Sequence, residues 1–237
     1  MWGPLVAVRH VIGLITGARS RRDRRTDHRP GALLGADGAA AQDSRCAYGY
    51  AKDVIGGRWR AAERIIMQDP ETALRYARDV IQGRWGAAER VIAQSPETAY
   101  EYAKEVVQGR WPEGEAVISE DPEHAYLYAK HVVRDRWERG EVVIAPNPLY
   151  AYLYARDVVR GRWPEGEATI RRNIRHACAY ATTILEERWP EVEGSIMADP
   201  CLRGIYLSRF GPLVPVVIAD VSHDVSAQLG RSSSGNG

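Results

Sequence analysis

Six tryptophans, Trp59, Trp85, Trp111, Trp137, Trp163 and Trp189, stand 26 residues apart with no insertion between them. A spacing held that strictly makes every 26-residue stretch perform the same structural task, so the chain must contain an array of one repeated supersecondary unit. Other columns keep step with the first. Each tryptophan follows an arginine (Arg58, Arg84, Arg110, Arg136, Arg162 and Arg188) and precedes a glutamate by four positions, from Glu63 and Glu89 through to Glu193. Eight positions before each tryptophan stands an alanine, Ala51 to Ala181, itself preceded by a tyrosine.

One unit, residues 96–121, reads PETAYEYAKEVVQGRWPEGEAVISED. Ala99, Tyr102, Ala103, Val106 and Val107 recur at helical spacing and predict an amphipathic helix of about twelve residues. Ser95 suits its N-cap, Pro96 its first position and Glu97 its positive end. Gly109 is expected to supply the left-handed residue that ends it. Pro112 and two glutamates then restart the chain in a shorter helix of about two turns, partly 3₁₀, with Trp111, Val117 and Ile118 on one side. Neither helix is long enough to be stable alone, because isolated helices below about 12–15 residues are marginal in water. Stacking resolves this: alanine columns allow close approach, and Trp with Val/Ile fills the seam between units. The fold class predicted is all-α, an α-solenoid of about six 26-residue repeats of a helix and a short helix.

The stretch Tyr-Ala-Lys/Arg-Asp-Val-Val/Ile followed by Gly-Arg-Trp-Pro-Glu-x-Glu resembles a short α-helical repeat family found in open reading frames of large phages, environmental bacteria and giant viruses. In layout it is similar to leucine-rich repeat variants, which pair an α-helix with a shorter 3₁₀ helix. The resemblance covers residues 44–199. It implies a helical-repeat fold and brings no activity, cofactor or site residue with it.

The array divides the chain. Residues 1–43 read as a basic, disordered arm unrelated to the repeats: they hold seven Arg against four Asp. Their apolar run precedes the arginines, the reverse of a secretory signal. Residues 44–199 form the six units, with Ser44 in place of proline in the first and Ile174, Cys178 and Thr182-Thr183 as departures in the last. Terminal units of a solenoid are often atypical because one face has no neighbour. Residues 200–212 read as a partial capping unit. Residues 213–237 read as an apolar stretch, LVPVVIADV, that covers the open end, followed by a disordered Ser/Gly tail.

Within 44–199 the charges nearly cancel, with 22 basic and 25 acidic residues, so no global field draws nucleic acid. Three cysteines in no recognisable spacing point to reduced thiols and a cytoplasmic setting. No apolar run reaches the roughly 20 residues of a membrane span. There is no P-loop, GxGxxG, zinc spacing or Ser/His/Asp set, and no cofactor is expected. His124 and His131 lie about 10 Å apart along one helix, too far to share a metal.

Three columns invite a functional reading. The six arginines could track a phosphate backbone as an anion row, or pair with the glutamate column, or lie over tryptophan rings. Glu113 with Glu115 and Glu165 with Glu167 look like an acid–base pair only in isolation; repeated, they are helix-end charges. Tyr48, Tyr100, Tyr126 and Tyr152 fall at the edge of the buried stripe and are expected to be partly exposed. Finally, Gly49, Arg75, Glu101, Leu127, Leu153 and Ala179 change from unit to unit while the frame is kept. Leu127 and Leu153, if exposed, would make an apolar patch suited to a partner or to self-association. The chain therefore reads as a non-enzymatic scaffold binding a protein or peptide, with Glu101, Leu127, Leu153, Tyr100, Tyr126 and Tyr152 as candidate surface. The alternatives are nucleic-acid binding through the arginine column and the basic arm, and a purely structural role as a spacer or virion component.

Overall fold

The computed structural model describes residue 38 and residues 40–212, and over that span every element is helical. The chain is an all-α solenoid: helix pairs follow one another, each first helix packing on its own second helix and on the first helices of the units before and after. The basic run of the arm, LVPVVIADV and the Ser/Gly tail lie outside the described residues.

In unit 3 the first helix runs twelve residues, as its apolar stripe predicts, but in two forms. Pro96–Glu101 is α-helical and Tyr102–Val107 is a π-helix. The same switch occurs in all six units, at Ala51, Ala77, Tyr102, Ala129, Ala155 and Ala181. The consequence is visible along the stripe. Ala99, Tyr102 and Ala103 are fully buried, whereas Val106 and Val107 are only half-buried. A widened turn carries these two β-branched residues off the α-helical stripe to the edge of the stack, where the π turns of successive units meet.

The helix stops one residue earlier than the glycine column suggests. Gln108 takes the left-handed conformation at φ 55°, and Gln82, Arg134, Arg160 and Glu186 do the same in their units; only the first unit has a glycine there, Gly56. Gly109 follows it, and its N–H bonds the Ala103 carbonyl at 3.2 Å, the long closing bond that the left-handed residue permits. Gly57, Gly83 and Gly161 close their units with the same bond, whereas in unit 4, where Asp135 stands in the glycine column, Arg134 N–H bonds the Ala129 carbonyl at 2.7 Å.

Capping follows the sequence in part. Asp69, Asp121, Asn147, Asn173 and Asp199 accept backbone N–H bonds at the starts of their helices. Ser95 occupies the N-cap of unit 3 without a side-chain bond. Thr98 is turned back onto the Ile92 and Ser95 carbonyls instead. Asp43 caps the first helix by accepting from Cys46 N at 2.8 Å, and Ala40 and Ala41 pack on the core. The frame of the array therefore begins before Ser44, inside the stretch that composition assigns to the arm.

The second helices are two-turn α-helices such as Pro112–Ile118, with a 3₁₀ turn only in unit 1, at Arg60–Ala62. Trp111 precedes its helix and lies buried against the Tyr102 ring, centroids 4.8 Å apart. Its ring also lies over Gly114, where a Cβ would sit 2.3 Å from the indole Cε3. Pro200–Phe210 forms the capping helix expected at the end of the array, with Leu202 and Tyr206 buried. Arg188 donates to the carbonyls of Phe210, Gly211 and Pro212, closing the end of that helix.

Candidate interaction surface

The arginine column resolves first. In units 1 to 5 the arginine grips the glutamate five residues on with two bonds, for example Arg110 Nε to Glu115 Oε1 at 2.9 Å and Nη2 to Oε2 at 3.1 Å. Arg188 makes the corresponding pair with Glu193 through Nη1. The glutamates are nearly buried, Glu115 being 7% exposed, while the arginines lie over them half in solvent. Burial alone would push the Glu115 carboxyl up; the bonds from Arg110 and Tyr128 outweigh it and hold the group below its ordinary range. Of the open readings, the ladder within each unit is the observed one. The six guanidiniums are committed to carboxylates and form no open anion row.

Each ladder is also a joint between units. Tyr128, from unit 4, donates its hydroxyl proton to Glu115 Oε1 at 3.0 Å and accepts the backbone N–H of Trp111 at 2.8 Å. The backbone half of this joint recurs at every junction, from Trp59 with Tyr76 to Trp189 with Tyr206 of the capping helix. Burial pushes the phenols of Tyr102, Tyr128 and Tyr180 up to about 12. Arg and Glu are thus spent within the unit, and Trp, Glu and Tyr on holding one unit to the next.

A second ladder crosses the π turns. Tyr126 donates to Asp157 of the next unit at 2.5 Å, and Lys130 reaches the same oxygen at 2.7 Å. Tyr48, Lys52 and Asp79 repeat this at the first junction, and Arg78 bonds Glu105 at the second. Hydrogen bonds from Arg78, then Tyr48 and Lys52, hold Asp79 well below the usual carboxylate range. The tyrosines of this ladder are more enclosed than their place at the stripe's edge suggests. Tyr100 and Tyr126 are 6% and 5% exposed and are not free platforms; Tyr48 and Tyr152 are half-buried. The hydroxyls of Tyr48, Tyr100 and Tyr126 pull them across the junction, a contribution that apolar periodicity does not contain.

The variable column is more mixed. Leu127 and Leu153 are half-buried and packed on the core, so they do not form the open apolar patch expected of them. Arg75 is exposed, and Glu101 is half-buried beside it in a groove of about 570 Å³ that Glu71, Arg75, Arg78 and Glu97 also line. Burial, then Glu105 and Glu97, push the Glu101 carboxyl up. A further groove of about 670 Å³ lies between units 3 and 4, lined by Lys104, Gln108, Gly109, Lys130, His131, Val132 and Arg134. Both grooves are lined by first-helix residues.

Among the described residues no three His, Cys, Asp or Glu side chains gather closely enough to hold a metal ion. No described helix is long and apolar enough to cross a membrane. The three cysteines form no disulfide. Geometry and sequence together define a member of the α-solenoid class of repeat proteins. Comparison with models of known protein families, with curated protein sequences and with solved structures finds no match.

Proposed function

We propose that this solenoid is a non-enzymatic scaffold that holds a protein or peptide partner along the face of its first helices. One observation carries the reading. The Trp–Tyr and Arg–Glu columns kept from unit to unit are consumed in the frame, whereas positions that vary, Arg75 and Glu101 in one groove and Gln108, His131 and Arg134 in the other, line the first-helix face beside ladder residues such as Arg78 and Lys104. A surface that changes over an unchanging frame is how repeat arrays select a partner. The competing reading, nucleic acid held by the arginine column and the basic arm, is less supported in its first half, because each guanidinium is matched by its own glutamate; the basic run of the arm lies outside the described residues.

The test is affinity capture with the full chain from the cell that makes it, with and without nuclease. The double variant Arg75→Glu/Glu101→Lys alters the first-helix face, and Arg64→Glu/Arg90→Glu alters the second-helix face. The reading expects a protein partner lost only with the first variant and indifferent to nuclease. Loss on nuclease treatment, or retention by the first-face variant, would overturn it.

A further inference from the structure

The ladder across the π turns follows one rule. A Lys or Arg of one unit (Lys52, Arg78 and Lys130) bonds an acidic residue of the next (Asp79, Glu105 and Asp157) at 2.7–2.9 Å. At the junction of units 5 and 6 the partner is Thr183, but Arg156 turns to its own neighbour, Asp157. At the junction of units 3 and 4 the acidic position holds His131. Lys104, the cation that should meet a carboxylate there, has none among the described residues, and lies 5.5 Å from the centre of the Tyr100 ring.

The surroundings of this gap are cationic and open. Lys104, Lys130, His131 and Arg134 line the 670 Å³ groove, together with the apolar Val132. Arg134 sits at the left-handed position, where other units place Gly, Gln or Glu as well as Arg, and makes no ion pair among the described residues. The Tyr100 hydroxyl lies 2.7 Å from His131 Nδ1. With that O–H donating to Nδ1, the imidazole proton sits on Nε2 and is a further donor.

We propose that the junction between units 3 and 4 is a binding site for the carboxylate side chains of an acidic peptide segment, held by Lys104, His131 and Arg134 in place of the acid that every intact rung supplies internally. The ligand class comes from the fold itself, because the same position at the junctions before and after is built around a carboxylate. The proposal rests on the scaffold reading and names the chemistry its partner must carry at this point. The charged groups on the packed π turns are Lys104 and Glu105 before, Lys130 beside, and Arg156 and Asp157 after. Glu105 and Asp157 are already bonded to Arg78, Lys130 and Arg156. Burial, then Lys130 and Lys104, hold the His131 imidazole below its ordinary value, with Asp157 opposing them. A bound carboxylate must therefore raise it.

The probe is a blocked tetraglutamate peptide, titrated into the full chain at fixed ionic strength while histidine proton resonances are followed by NMR. Saturable shifts at His131 with a rise in its pKa are expected. Affinity should fall about tenfold or more in Lys104→Met, the loss of one charge-assisted contact. His131→Asp should abolish binding by restoring the internal rung, and its thermal midpoint should not fall, which separates occupancy from unfolding. Binding unchanged in both variants would overturn the proposal. So would inorganic phosphate binding as tightly as the peptide, which would make this a phosphate site. The titration uses no native partner, so its failure removes this site while the capture experiment still judges the scaffold reading.

Discussion

Replacing Tyr128 by phenylalanine removes a single oxygen from the joint between units 3 and 4. That oxygen accepts the Trp111 N–H at 2.8 Å and donates to Glu115 at 3.0 Å. Trp111 and Tyr128 are both fully buried, so water has no route to the orphaned N–H. A buried donor left without a partner costs about 1–3 kcal/mol. Glu115 keeps both bonds from Arg110, so the loss on the carboxylate side is smaller. The expected destabilisation is about 2 kcal/mol. Tyr126→Phe is the matched control, two residues away on the same helix. Its hydroxyl donates to Asp157, which retains Lys130 and Arg156, so the cost should stay at about 1 kcal/mol or below. The assay is urea unfolding followed by far-UV circular dichroism, comparing midpoints at unchanged slope. Equal losses in the two variants, or a greater loss in Tyr126→Phe, would refute the claim that the buried joint holds the units together.

Three other outcomes follow from the same frame. Gln108→Gly should raise stability by about 1 kcal/mol, because a non-glycine residue at φ 55° is strained by roughly that amount; a lower denaturation midpoint would contradict this. Gly114→Val should cost about 1–3 kcal/mol, since its Cβ falls within 2.3 Å of the Trp111 ring, and the check is a lowered thermal midpoint. Stability should also fall at both ends of the pH scale. Asp79, Asp157 and Glu115 are depressed in the folded chain, so their contribution is present above the ordinary carboxylate pKa of about 4 and is lost as pH falls below it. The phenols of Tyr102, Tyr128 and Tyr180 keep their protons to about 12, against about 10 when unfolded, so stability declines as pH rises between the two. Absorbance at 295 nm during alkaline titration should show a class of tyrosines that ionise only as the chain unfolds.

The period, the helix pair and the capping helix were legible because each follows from apolar spacing and chain punctuation, which are local. What was not legible depends on hydrogen bonds between residues far apart in sequence. Tyr102 and Tyr128 read as core aromatics, which they are. Their hydroxyls, reaching back 17 positions to a tryptophan N–H, leave no local trace. Tyr100 and Tyr126 read as edge residues for the same reason, since their partners lie 31 positions on. The π turn hid because Val106 and Val107 fit an α-helical stripe equally well on paper. Gly109 was a plausible helix stop, yet the left-handed residue is Gln108, and only the variability of the glycine column at Asp135 and Glu187 hinted at it. The gap at His131 could have been read directly: aligning AKDVI, ARDVI, AKEVV, AKHVV and ARDVV shows the one unit in which a histidine replaces the acid.

The central claim is that the repeated arginines are internal struts rather than an anion row, and NMR of the arginine Nε–H groups tests it most directly. Arg58, Arg84, Arg110, Arg136 and Arg162 each hold their Nε–H on a glutamate oxygen. The account predicts five slowly exchanging Nε–H signals at neutral pH that do not move when a single-stranded oligonucleotide is added at low salt. Signals averaged with solvent, or shifted together by the oligonucleotide, would contradict it.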